Sequence, residues 1–260
     1  MPATDQVTFV VAFNDREVLD ANFLASPCVR KPHRHSILLQ ENFASAAKAY
    51  NDAIEKSPND LMIFCHQDIF FPDTWLSELQ RGLDYLEQHD QRWGVLGCSG
   101  ITVDEQMWGQ VYSSGLGVIG KMPENPMPVQ TLDEIVLIFR KSSGLRFDDD
   151  LPHFHLYGTD VCMRATQRGM TNYAVSAFCV HNTHQLLVLP KEFYVCCAHV
   201  KKTWEDRLPI QTTCIRLTPF NLPVIRRRLH DVYLRYVRGK IGATRVKDVQ
   251  HVVREPLRGR

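Results

Sequence analysis

The 260-residue sequence predicts an α/β domain, a mainly parallel sheet flanked by helices, followed by a basic helical tail. Three observations carry that expectation. Unbroken apolar runs of strand length recur at residues 7–13, 61–65, 93–100 and 173–180, as suits strands buried on both faces of a parallel sheet. Longer segments between several of them place apolar residues at helical spacing, the alternation that builds parallel sheets covered by helices. No internal repeat or low-complexity segment breaks the pattern.

Taken in order, residues 7–13 form the first strand, closed by Asn14 and Asp15. That pair reads either as a nucleotide contact or as a helix cap. Residues 36–40 give a short second strand. Phe43, Ala46, Ala47, Tyr50 and Ile54 then predict a helix over 41–56, ended by Ser57-Pro58-Asn59-Asp60. The apolar run 61–65 stops abruptly at His66-Gln67-Asp68, so this triplet lies at a carboxyl strand end, where open α/β sheets place ligands. Asp68 supplies a hard anionic oxygen, and His66, two residues earlier, points to the same side of an extended strand. Together they make half a site for a divalent cation; the plainer alternative is a turn aspartate beside a hydrogen-bonded histidine.

Pro72-Asp73-Thr74 opens a helix with Trp75, Leu76, Leu79, Leu83 and Leu86 on one face. Residues 93–100 form another buried strand running into a glycine-rich turn. The Gly- and Pro-rich stretch 103–130 predicts an irregular lid or binding loop, and 131–140 returns to a strand. An acidic turn at Phe147-Asp148-Asp149-Asp150 precedes a helix over 158–168, stopped at Gly169. The last core strand, 173–180, ends at His181-Asn182-Thr183-His184.

Apolar and charged contents of 44% and 23% are those of a soluble globular protein. Net charge is +1, unevenly spread: from Leu222 onward eleven Lys/Arg face three Asp/Glu. There Leu222, Ile225, Leu229, Val232, Tyr236 and Val237 lie beside Arg226, Arg227, Arg228, Arg235 and Arg238. The stretch from Leu222 to Arg238 therefore predicts a basic amphipathic helix, suited to a partner or an anionic membrane surface. The alternative is a helix packed on the domain with a solvated basic face. No other region is basic, and nucleic acid is not an expected partner. Eight cysteines without metal-site or paired spacing point to reduced thiols and a cytoplasmic address. No segment reaches membrane-spanning length or reads as a signal peptide, so any membrane contact is peripheral.

Three polar clusters follow or open onto core elements: His66-Gln67-Asp68, then 152–160, then His181 to His184. In a doubly wound sheet they share one cleft. Asp68 at its strand end resembles the last Asp of the DxD metal motif in GT-A glycosyltransferases. Phe154-His155-Leu156-Tyr157-Gly158-Thr159-Asp160, with the helix and Gly169 that follow, resembles the acidic motif of inverting glycosyltransferase family 2. Val180-His181-Asn182 is similar to the segment whose His closes the metal site there, and 46–51 resembles the helix before the metal strand, which often carries an Asn. The combination resembles a bacterial branch of that superfamily.

The resemblance implies a GT-A domain over 1–210 with a helical extension over 211–260. It implies transfer of a sugar from a nucleotide diphosphate donor to a glycan or lipid-linked acceptor hydroxyl. Asp160 would be the base, Asn14, Asp15, Asn51 and Gln67 donor contacts, and Asp68, His181 and His66 ligands of Mn²⁺ or Mg²⁺. His66 replaces the usual first acid of DxD, and Tyr157-Gly158-Thr159 stand where acids are common. His153, His155 and His184 read as structural or acceptor-side. Two other readings stay open: a metal-dependent hydrolase using the same His/Asp clusters, and a catalytically silent sugar-nucleotide-binding module.

Overall fold

The apolar runs become strands of one sheet, and the breaks between them become the site. In a computed structural model, residues 4, 6–30, 35–184, 188–237 and 242–254 are described. The strands used below are β1 (Thr8–Phe13), β2 (Ser36–Glu41), β3 (Leu61–His66), β4 (Ile69–Phe70) and β5 (Trp93–Gly97). They continue as β6 (Val111–Ser113), β7 (Met127–Val129), β8 (Val136–Arg140), β9 (Thr171–Ala174) and β10 (Cys179–His181). The helices are α1 (Arg16–Ala21), α2 (Ala46–Lys56), α3 (Trp75–His89), α4 (Tyr157–Gln167), α5 (Lys191–Thr203) and α6 (Leu222–Tyr236).

The central sheet has seven strands in the order β7-β9-β5-β8-β3-β1-β2. β1 runs parallel to β2 and β3, and β9 parallel to β5, while β8 lies antiparallel between β3 and β5. The sheet is thus mixed and mainly parallel. Leu61 to Cys65 are buried throughout, because this central strand is covered on both faces. On one face Phe64 stacks on Phe139 with centroids 4.7 Å apart and meets Tyr50 of α2 and Phe147. On the other, Phe9 packs among Phe23, Phe71 and Trp75.

Three expectations are corrected. The helix predicted from residue 41 begins at Ala46, because the Ser45 hydroxyl accepts from Lys48 N (3.4 Å) and caps it there. The strand predicted over 173–180 is two strands in two sheets: β9 joins the central one, and β10 a smaller sheet with β4 and β6. The stretch 103–130 is not irregular. Its short strands pair, β6 inside the small sheet and β7 at the edge of the central one, with Val111, Ser113 and Val129 buried. Gly109 and Gly120 turn it at positive φ, where a Cβ would strike backbone. Packing also crosses residue 210, the expected boundary with the extension. Gln211, Thr212 and Leu217 are buried, and the Thr131 hydroxyl donates to the Gln211 carbonyl (2.6 Å). The predicted basic helix spans Leu222–Tyr236, and Arg238 lies outside the described residues.

Phe64 is fully buried at the centre of its aromatic layer. Phe64→Ala is expected to cost about 3–5 kcal/mol of unfolding free energy, read by chemical denaturation. A loss below about 1 kcal/mol would show that the layer collapses around the void.

Candidate active site

β3 ends at His66, opposite Ala12 of β1, and the chain turns at once through Gln67 and Asp68 into β4. β10 pairs antiparallel with β4, setting His181 opposite Ile69, and Asn182 N donates to the Asp68 carbonyl (2.8 Å). Two strand ends remote in sequence are thereby locked side by side. His181 Nε2 stands 3.4 Å from Asp68 Oδ1, and the His66 and His181 rings lie 5.5 Å apart. Among the described residues, these three form the one group of His, Cys, Asp or Glu with metal-site geometry, their ligand atoms all within 4.8 Å of one another.

Burial by itself would raise the Asp68 carboxyl and lower the His181 imidazole. Their mutual contact, with His66 and the Thr183 hydroxyl adding to it at Asp68, reverses both: Asp68 is held well below the usual carboxylate range and His181 above the usual imidazole value. His66 is lowered, chiefly by burial. Its Nε2 lies 2.9 Å from the Tyr157 hydroxyl, whose single proton goes to the Glu134 carbonyl (3.1 Å). His66 Nε2 is therefore the donor in that pair, and Nδ1 keeps the lone pair. Two imidazoles and a carboxylate suit a first-row divalent cation with positions left for further oxygen ligands.

Two cavities meet at this cluster. One of about 530 Å³ is lined by Phe13, Asn14, Gln40, Asn42, Phe43 and Phe154 together with His66, Gln67 and Asp68. The other, about 260 Å³, carries Asp133, Glu134, Thr159, His181, Thr183 and Thr213 beside His66 and Asp68. His155 lines both, and burial lowers its imidazole to about 4. The loop beneath them is strained. His153 and Leu156 adopt φ of 60° and 62°, a left-handed conformation rare for such side chains, with the His153 carbonyl fixed by Ala46 N (2.9 Å).

Of the residues expected at the site, the structure brings together His66, Gln67, Asp68, His181 and Asn14. Gln67 Oε1 accepts from the backbone of Asn14 and Asp15 while its Nε2 donates to Asn14 Oδ1, clamping the ends of β1 and β3. Three others lie elsewhere. Asp15 caps α1 by accepting from Val18 N (3.1 Å). Asn51 spends its amide holding Phe147 and Asp149. Asp160 is 1% exposed and lines neither cavity. Its carboxylate accepts from Arg164 Nε (2.6 Å) and Trp204 Nε1 (2.8 Å), and burial raises it despite them. His153 and His184 stand outside the ligand group.

Sequence reasoning missed Asp133 and Glu134, which enter the second cavity just before β8. Asp133 Oδ2 accepts from the Thr213 hydroxyl (2.7 Å) and Oδ1 from Ile135 N (3.2 Å). Glu134 is pushed well up by burial and by the charge of Asp133, against the amides of Leu156 and Gly158. An acidic pair opening a buried strand was the available signal.

Over residues 8–202 the chain matches the sequence family described as "Glycosyltransferase like family". A curated relative, the ATP synthase subunits region ORF 6 protein of Fuscovulum blasticum, is 29% identical over 119 residues, 44% of this chain and 48% of that protein. The match thus spans about half the length of that relative. The fold resembles S. aureus TarS in complex with UDP-GlcNAc, with a TM-score of 0.50 at 12% identity, covering 90% of this chain and 74% of that one. It also resembles GalNAc-T7 with UDP, GalNAc and Mn²⁺, with a TM-score of 0.50 at 9% identity, covering 68% and 43%. At such identities the likeness is one of fold, and the fold is GT-A.

Asp68→Ala is expected to weaken Mn²⁺ binding about 100-fold, within the fold otherwise intact, since the side chain ends at a cavity wall. Thermal shift with and without MnCl₂ reads it. In the wild type, affinity should fall as pH drops through the raised His181 value, because a cation needs the neutral imidazole. A metal-induced shift equal in both proteins would remove Asp68 from the site.

Proposed function

The chain belongs to the glycosyltransferase-like family, and on that premise we propose that it transfers a sugar from a nucleoside diphosphate donor to an acceptor hydroxyl. One observation carries this reading: the His66/Asp68/His181 cluster stands where two cavities meet. The larger cavity takes the nucleotide, with Phe13, Phe43 and Phe154 offering apolar surface and Asn14, Gln40 and Asn42 polar edges. The smaller takes the acceptor, a glycan or a lipid-linked sugar. His66, Asp68 and His181 would hold Mn²⁺, with Mg²⁺ less suited to two imidazoles; the cation would neutralise the diphosphate charge that grows as it leaves.

Asp133 is the base of this reading. It faces the acceptor cavity, and Thr213 and Ile135 N fix its carboxylate. The acceptor oxygen bonds to the anomeric carbon as the bond to the diphosphate oxygen breaks, its proton passing to Asp133. A single displacement inverts the anomeric centre. Asp160 acts instead at one remove, tying α4 through Arg164 and Trp204. The cysteines are all free thiols, seven of them buried, which supports a reducing, cytoplasmic address.

Asp133→Asn should keep donor and Mn²⁺ binding while lowering transfer about 10²–10⁴-fold, measured as release of nucleoside diphosphate with acceptor present. Asp160→Asn should instead lower stability by about 1–3 kcal/mol, since the amide loses the charged bond from Arg164, which keeps Asp148 at 3.1 Å. Near-native transfer by the Asp133 variant would overturn the assignment. Release of diphosphate that ignores every acceptor would favour a hydrolase, and donor binding without turnover a silent module.

A further inference from the structure

α6 carries its apolar stripe on the outside. Leu222, Ile225, Leu229, Val232 and Tyr236 recur at helical spacing and are 71%, 52%, 66%, 54% and 76% exposed. Phe220, just before the helix, is 81% exposed. The face turned to the domain is polar as well as apolar: Asp231 is buried, accepts from Arg227 Nε (3.0 Å) and from the Tyr194 hydroxyl, and Arg228 lies 4.5 Å above the Tyr194 ring. Asp231 is the one acid on α6, so nothing negative remains on the outer face. Arg226 and Arg235 flank the stripe, exposed.

Beside the helix runs a groove of about 510 Å³ with Leu189, Val195 and Val232 as apolar lining and Lys191, Arg228 and Arg235 along it. A contiguous apolar stripe of this kind is unusual on a soluble surface that binds nothing. Its basic borders repel a second copy of the same helix and attract anionic headgroups. Among the described residues no helix is long and apolar enough to cross a membrane, so α6 can lie on a bilayer but not span it.

We propose that α6 docks this protein on the surface of an anionic lipid bilayer. Leu222, Ile225, Leu229, Val232 and Tyr236 enter the headgroup–acyl boundary, while Arg226, Arg235 and Lys191 meet lipid phosphates. The groove reaches the acceptor-side cavity at Leu189, which lines both. The docking itself stands apart from the transfer reading and survives its failure.

The test is co-sedimentation of the full chain with vesicles of phosphatidylcholine alone, or with about a third phosphatidylglycerol. Binding should require the anionic lipid and fall as salt rises, because the attraction is screened. Ile225→Asp with Leu229→Asp should abolish it. Arg226→Gln and Arg235→Gln should each weaken it about fivefold. All four positions are exposed, so melting temperatures should stay near wild type. Absence of binding at low salt, or binding unaffected by the aspartates, would overturn the proposal. So would a concentration-dependent dimer lost in the same double variant, which would give the stripe to a second copy.

Discussion

A strand buried on both faces can carry no unsatisfied polar group along its length, so its polarity gathers at its end. β3 is such a strand, and its end is His66-Gln67-Asp68. Burying Asp68 there is costly unless a polar partner faces it, and His181 Nε2 does so at 3.4 Å. That contact requires β10 to lie beside β4, which requires the chain to leave the central sheet after β9. The small sheet is therefore the scaffold of the pair: β6 supports β10 from its other side, and Asn182 closes on the Asp68 carbonyl.

The parts of this arrangement that depend on local chemistry were legible in the sequence. An apolar run interrupted by His-Gln-Asp marks a buried strand end whatever the rest of the chain does. The same holds for His181 after the run ending at Val180, and for the helix closed by Gly169, whose φ is +71°. Where sheets part company was not legible. Residues 173–180 are apolar almost throughout, and no residue type announces that Ala174 and Cys179 belong to different sheets. The glycines and prolines of 103–130 misled for a related reason. They mark turns between strands of two or three residues, too short to show a periodicity.

The expected site roles that compete with structural ones are those where a carboxylate or amide has two uses. Asp15, Asn51 and Asp160 all stand next to cavity-lining segments, yet each is consumed by the fold: a helix cap, a pin on the acidic turn, a tie between α4 and Trp204. Sequence spacing reports that a polar residue sits near a strand or helix end. It does not report whether the backbone there already has its partners. Asp160 illustrates the cost of the choice. With Arg164 and Trp204 both bound to it, its carboxylate cannot turn toward the cavity without stranding a guanidinium, which Asp148 at 3.1 Å only partly satisfies.

The ligand set has a consequence for how donor and cation would bind. Two carboxylates would neutralise a divalent cation before any substrate arrived. His66, Asp68 and His181 bring one negative charge between them, and the raised His181 imidazole makes proton and cation compete for the site as pH falls. On the transfer reading, such a site holds the bare cation weakly and leaves it a net positive charge to meet the diphosphate. Cation and donor then strengthen each other's binding, and by linkage the gain is the same in both directions. With a single carboxylate, Asp68, beside two imidazoles, this site would hold a cation more tightly with the diphosphate present than without it.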